Sequence, residues 1–89
     1  MKVTVTLLGS LRTLAGEALT SFELKEGSDL KVILQELSVK YPSLTEALST
    51  APRTTLIIIN GVEIGNLQGT DTMIRADASI TMLPVIHGG

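Results

Sequence analysis

The residues with the most chemical promise in this 89-residue chain are the last two, Gly88 and Gly89, which follow directly on an apolar run over residues 80–86. Two residues without Cβ can thread a narrow channel that any larger side chain would block. What they would deliver is a terminal carboxylate, ionised at neutral pH with a pKa of about 3.3–3.7, and so a poor electrophile until it is activated. The pattern predicts a working tail, in which Gly88 and Gly89 pass the channel and present the terminal carboxylate. On this reading residues 1–85 form a body and residues 86–89 an extended arm. From Val85 to Gly89 an extended chain reaches roughly 16 Å at about 3.3 Å per residue, enough to enter a deep pocket.

No catalytic set accompanies the tail. Catalysis needs a nucleophile, a base and a place for each. Ser28 and Lys31 have the S-x-x-K spacing of penicillin-binding serine enzymes, but the companion motifs are missing and Ser28 stands where a helix cap belongs. Gly65 and Gly69 have G-x-x-x-G spacing within a polar stretch, which cannot be a membrane packing face. A phosphate loop of the G-x-x-x-x-G-K-[ST] type does not occur, so the chain is not expected to bind ATP alone. With no cysteine there is no disulfide, thiolate ligand or cysteine nucleophile, which fits a reducing compartment.

His87 is the single histidine, and one imidazole without cysteine makes a poor metal site. We read it as a solvated tail residue, the alternative being contact with acidic groups of a partner. Glu63, Asp71 and Asp77 match no calcium loop and are read as turn and cap residues. No stably bound cofactor or metal is expected.

Composition agrees with a small soluble domain. The chain is 44% hydrophobic with one Phe, one Tyr and no Trp, so its core must be built from Leu, Ile and Val. A net charge of −2 with scattered Lys and Arg argues against nucleic-acid and polybasic membrane partners. Met1 and Lys2 run straight into an alternating segment, and no apolar run is long enough to span a bilayer, so a cytoplasmic location is expected.

The elements that must position the tail follow from periodicity. Val3, Val5 and Leu7 alternate with Lys2, Thr4 and Thr6, predicting a half-buried strand over residues 2–8. Residues 9–16 read as a connection with one helical turn at residues 10–13, and a second strand follows at residues 18–24. Leu30, Ile33, Leu34, Leu37 and Tyr41 form one apolar helical stripe, capped by Ser28 or Asp29 and stopped by Pro42. Ser43 and Glu46 have capping-box spacing for a short helix at residues 44–48. Residues 55–59 are continuously apolar and β-branched, predicting a strand buried on both faces. Asn60-Gly61 turns it into a short strand at residues 62–64. A polar loop to residue 78, with a turn near Thr70 and Asp71, leads to a last strand at residues 79–85. This order suggests an α+β, ubiquitin-like β-grasp: a mixed sheet with one long helix packed across it and a flexible C-terminal Gly-Gly tail.

Several segments together resemble the prokaryotic sulfur-carrier family, which includes the small subunit of molybdopterin synthase and the thiamine-pathway carrier. They are residues 3–9, Leu11-Arg12 with Ala15-Gly16, Tyr41-Pro42, Asn60-Gly61, and the ending Leu83-Pro84-Val85-Ile86-His87-Gly88-Gly89. The first two lean toward the molybdopterin branch. The chain departs from that branch at Leu8, where Phe is frequent, at Ala76-Asp77-Ala78, where an Asp-Gly-Asp turn is frequent, at Leu83-Pro84, where Pro-Pro is frequent, and at His87, which replaces a small residue.

The resemblance implies that a ubiquitin-activating-type adenylyltransferase converts Gly89 to an acyl-adenylate. A sulfur donor protein then yields the Gly89 thiocarboxylate, and the large subunit of molybdopterin synthase receives the sulfur. Leu83, Val85, Ile86 and His87 are the expected partner-binding residues, with Leu7 or Leu8 nearby on the sheet. Leu7 alone is better read as core. The same tail also suits a modifier joined through Gly89 to lysines of other proteins, or a carrier for thiamine, tRNA thiolation or cysteine synthesis. A plain interaction module with an idle tail is the third class.

Overall fold

The computed structural model describes residues 1–85. Gly88, Gly89, Ile86 and His87 therefore lie outside the described residues.

The first strand, β1 (Lys2–Leu7), buries Val3, Val5 and Leu7 completely on one face, as the alternation requires. Residues 9–16 are more ordered than one turn: α1 spans Gly9–Ala15. Leu11 buries into the core, and Gly16 at φ 78° closes the helix by donating its N–H to the Arg12 carbonyl at 2.9 Å. A left-handed glycine after the last turn ends even a weakly helical segment. β2 (Leu19–Glu23) then pairs antiparallel with β1.

β3 (Ser28–Asp29) leads into the long helix α2 (Leu30–Lys40), which buries Leu30, Ile33 and Leu37. Asp29, not Ser28, is the cap: its carboxylate accepts the Val32 N–H at 3.1 Å, while the Ser28 hydroxyl donates to the Lys25 carbonyl at 2.8 Å. Tyr41 ends the helix, and a 3-10 turn at Pro42–Leu44 runs into α3 (Thr45–Ser49). The expected capping box is not formed, because the Ser43 hydroxyl donates to the Leu14 carbonyl at 2.6 Å and ties this turn to the end of α1.

β4 (Thr55–Ile59) and β5 (Val62–Glu63) form the hairpin announced by Asn60-Gly61, whose φ values of 49° and 84° suit a type I′ turn. Ile64 begins a 3-10 turn instead of ending the strand, and is buried. The stretch read as a polar loop holds a second 3-10 turn, Gly69–Asp71, and β6 (Met73–Ile74), which pairs antiparallel with β3. The last strand is β7 (Ala78–Pro84).

The main sheet has the order β2-β1-β7-β4-β5, with β1 and β7 parallel and the other pairs antiparallel. With α2 packed on one face, this is the ubiquitin-like β-grasp. Register aligns Val5, Ile80 and Ile59 in one inward row and Leu7, Met82 and Ile57 in the next. These rows and the apolar stripe of α2 make one continuous core.

Tyr41, 9% exposed, closes the core's edge and donates a hydrogen bond to the Glu17 carboxylate. Burial, then the bond to Glu17, raises the phenol's pKa above its ordinary 10.0. The fold thus favours the protonated phenol. Its contribution is complete below pH 10 and is lost as pH rises through the folded pKa. Above pH 10, Tyr41→Phe should lose stability with pH more gently than the unsubstituted chain; parallel curves of unfolding free energy against pH would contradict this. Leu37→Ala should cost about 2–5 kcal/mol, as completely buried leucines do, against about 0.5–2 kcal/mol for the cap variant Asp29→Ala. Denaturant titration measures both.

Candidate functional site

Chain order places the root of the tail at the end of β7, which lies between β1 and β4 at the centre of the sheet. Strand alternation sends Ala78, Ile80 and Met82 into the core and turns Ser79, Thr81 and Leu83 to the face opposite α2. Cross-strand pairing sets Leu83 beside Leu56 and Thr81 beside Ile58 on β4, and Thr81 beside Thr6 on β1. Alternation also puts Leu8 on this face, where its N–H donates to the Met82 carbonyl at 3.0 Å.

The result is an apolar strip on the uncovered face of the sheet. Leu8 is 36% exposed, Leu83 38% and Val85 38%, while Leu56 and Ile58 are half-buried. Leu7 is core, with no exposed surface. So of the two neighbours proposed for Leu83, Leu8 is the one on the surface. The continuous apolar run at residues 55–59 predicts a strand buried on both faces and so hides Leu56 and Ile58 as surface residues; β4 instead buries Thr55, Ile57 and Ile59 and leaves the alternate residues partly open. The signal was nevertheless present. One long helix covers one face of a sheet, so apolar residues alternating to the other face must meet water or a partner.

Backbone contacts fix the root of the tail. Val85 donates its N–H to the Thr54 carbonyl at 3.0 Å, and Pro84 pairs with Thr55. Gly9, the first residue of α1, lies against the Pro84 ring. Of the residues expected to work in the tail, Leu83 and Val85 are thus brought to one surface, while Ile86, His87, Gly88 and Gly89 fall beyond the described residues.

Elsewhere the described residues assemble no catalytic group. The ammonium of Lys31 lies 2.8 Å from Asp71 and 3.8 Å from Asp29. The hydrogen bond and charge of Asp71, then the charge of Asp29, raise its pKa above 10.5, the reverse of what a general base requires. With the Ser28 hydroxyl directed to Lys25, the S-x-x-K spacing has no chemical content. Asp77 accepts the Lys2 N–H at 2.8 Å and Glu63 the Gly65 N–H at 2.7 Å, so these acids, with Asp71, serve turns, caps and an ion pair. No group of three or more metal-ligating side chains occurs among the described residues. A groove of about 430 Å3, lined by Asn66, Leu67, Gln68, Thr72, Met73 and Arg75, sits on the β3–β6 side and holds no acid or nucleophile pair. No helix among the described residues is long and apolar enough to cross a membrane.

Comparison with known proteins agrees with this arrangement. The chain resembles the solution structure of small archaeal modifier protein 1 from Methanosarcina acetivorans, with 28% identity and a TM-score of 0.82 over 99% of this chain and 96% of that one. The structure of CysO from Mycobacterium tuberculosis, an antigen, is 27% identical with a TM-score of 0.72, over 94% and 99% of the two chains. A Pyrococcus furiosus protein provisionally assigned as molybdopterin converting factor, subunit 1, shares the fold at 19% identity and a TM-score of 0.76, over 97% and 99%. A search of curated protein sequences gives no match. The ThiS family model matches residues 5–89, through body and terminal glycines alike, and the chain belongs to the ThiS family.

Proposed function

We propose that this protein is a sulfur carrier whose Gly89 carboxylate is activated and converted to a thiocarboxylate by partner enzymes. The observation that carries the reading is the family match running unbroken through Gly89 on a body with no catalytic constellation among its described residues. In the first step a Gly89 carboxylate oxygen attacks the α-phosphorus of ATP on a ubiquitin-activating-type adenylyltransferase, and pyrophosphate leaves. In the second a sulfide-equivalent nucleophile from a sulfur donor protein attacks the acyl-adenylate carbonyl, and AMP leaves. The chain supplies the acyl group and the docking surface; its partners supply ATP and the catalytic groups.

The uncovered strip of Leu8, Leu56, Ile58, Leu83 and Val85 is the docking surface on this reading. With one Phe and one Tyr in the chain, the partner must bring the large anchoring side chains. For the destination of the sulfur we propose molybdopterin synthase, with this chain as its small subunit. The N-terminal segments support that branch, and the Pyrococcus furiosus protein shares its fold. A second reading has its own support. The Methanosarcina acetivorans neighbour is by name a modifier, and a Gly89 acyl-adenylate attacked by a lysine amine instead of sulfur would make this chain one too.

Two outcomes are expected. Removal of Gly89, or Gly88→Ala, should leave the unfolding midpoint unchanged and abolish pyrophosphate incorporation into ATP by the adenylating partner; an altered midpoint would refute a tail independent of the body. Leu83→Asp should weaken binding to that partner by about tenfold or more, as expected for a charge placed in an apolar contact. Unchanged affinity by calorimetry would remove the strip from the interface.

A further inference from the structure

The two edges of the main sheet are unlike. β5, at one end, is only two residues long, and so short an edge offers little to pair with. β2, at the other, has five residues, and no proline, lysine or bulge interrupts it, although such devices are what keep edges apart. Met1 and Leu24 exchange both backbone bonds, at 2.8 and 2.9 Å, and Leu7 donates to the Ala18 carbonyl at 2.8 Å. Antiparallel ladders alternate, so Thr20 and Phe22 bond to β1 while Leu19, Ser21 and Glu23 turn their N–H and carbonyl groups away from the sheet. Among the described residues no strand takes up those groups. All three residues are exposed, Leu19 by 60%.

We propose that β2 is a homodimer edge, pairing antiparallel with β2 of a second copy about a two-fold axis at Ser21. In that register every outward group finds a partner: Ser21 faces Ser21 of the second copy, and Leu19 faces its Glu23. A shift by two residues either way loses a pair. No like charges are opposed. Glu23, the one charged residue of the strand, lies about 14 Å from its counterpart at about 3.4 Å per residue, beyond the Debye length of about 10 Å at 0.1 M salt. On the outer face Ser21 continues a row of hydroxyls through Thr4 to Ser79, and the join extends it with favourable hydroxyl pairs. On the inner face Thr20 meets Phe22 of the second copy. The Lys40 ammonium donates to the Thr20 hydroxyl at 2.6 Å and lies 5.4 Å from the centre of its own Phe22 ring, so the join brings it a further aromatic face.

The assembly closes at two copies, because the contact is isologous and the remaining edge, β5, is too short to propagate it. Both α2 helices then lie on one side of a continuous sheet. Both apolar strips lie on the other, centred on β7 and β4 away from the join, and stay open to other partners. Sedimentation equilibrium of the full chain, from about 1 μM to about 1 mM, should show a reversible monomer–dimer equilibrium. Amide hydrogen exchange at Ser21 should slow by about tenfold across that range, while Thr20 and Phe22, already bonded to β1, change far less. Leu19→Glu sets like charges opposite each other at both ends of the join and should weaken the dimer by about tenfold. Leu19→Lys sets opposite charges there and should tighten it by about threefold. Leu19 is exposed in the monomer, so neither variant should disturb the fold, and circular dichroism checks this.

A chain that stays monomeric up to about 1 mM overturns the proposal and leaves the edge to a strand of some other protein. A dimer in which the Ser21 amide exchanges at one rate throughout the concentration range overturns the edge and moves the contact elsewhere, the apolar strip included. Equal weakening by Leu19→Glu and Leu19→Lys overturns the register. Species larger than a dimer that grow with concentration overturn closure at two copies.

Discussion

The parallel pairing of β1 with β7 is the constraint on which the rest depends. The first and last strands of the chain lie side by side at the centre of the sheet, Val5 opposite Ile80 and Leu7 opposite Met82, with everything between them forming the crossover. That placement buries Val3, Val5, Leu7, Ile80 and Met82 under α2. It also denies β7 an edge position, because β4 pairs along its other side. The end of β7 is accordingly held on both sides, by the Leu8 N–H on the Met82 carbonyl and by the Val85 N–H on the Thr54 carbonyl.

The two faces of the sheet consequently do different work. The inner face is a closed apolar core, joined by α2, the turn after it and Ile64. Among the described residues no helix covers the outer face, which carries Leu8, Leu56, Ile58 and Leu83. Its strip runs to Val85, so on the proposed reading a partner that covers the strip also meets the last described residue of the chain. On the proposed reading, specificity resides in a broad apolar contact and the chemistry in the Gly89 carboxylate. The electrostatics agree: Lys31 is engaged by Asp71 and Asp29, and the Asp77 and Glu63 carboxylates accept backbone N–H groups. Among the described residues these charged groups serve structure.

Much of this was legible in the residues. The α2 stripe, the β1 alternation and the Asn60-Gly61 turn each carry a local physical signal, strong enough to state topology in outline. The missing pieces had weaker signals or misleading ones. β3 and β6 are two residues each, too short for any periodicity, and exist because the crossover brings them together. α1 begins with glycine and carries no acidic residue in its first turn; burial of Leu11 and closure by Gly16 stabilise it, and neither is apparent from propensity. Ser43 was drawn from its expected cap by the Leu14 carbonyl, a partner 29 residues away in sequence. β4 concealed its two-sidedness because both faces are apolar, one for the core and one for the surface. The contact of Gly9 with Pro84 spans nearly the whole chain and has no sequence pattern at all.

The central claim is that Gly89 carries sulfur, and intact mass spectrometry of the protein isolated from its own cells tests it most directly, beside a copy lacking Gly89. The account predicts a species heavier by the exchange of one carboxylate oxygen for sulfur, present in the full chain and absent from the shortened one. An unmodified mass, accompanied by species in which the chain is joined to other proteins, would contradict it.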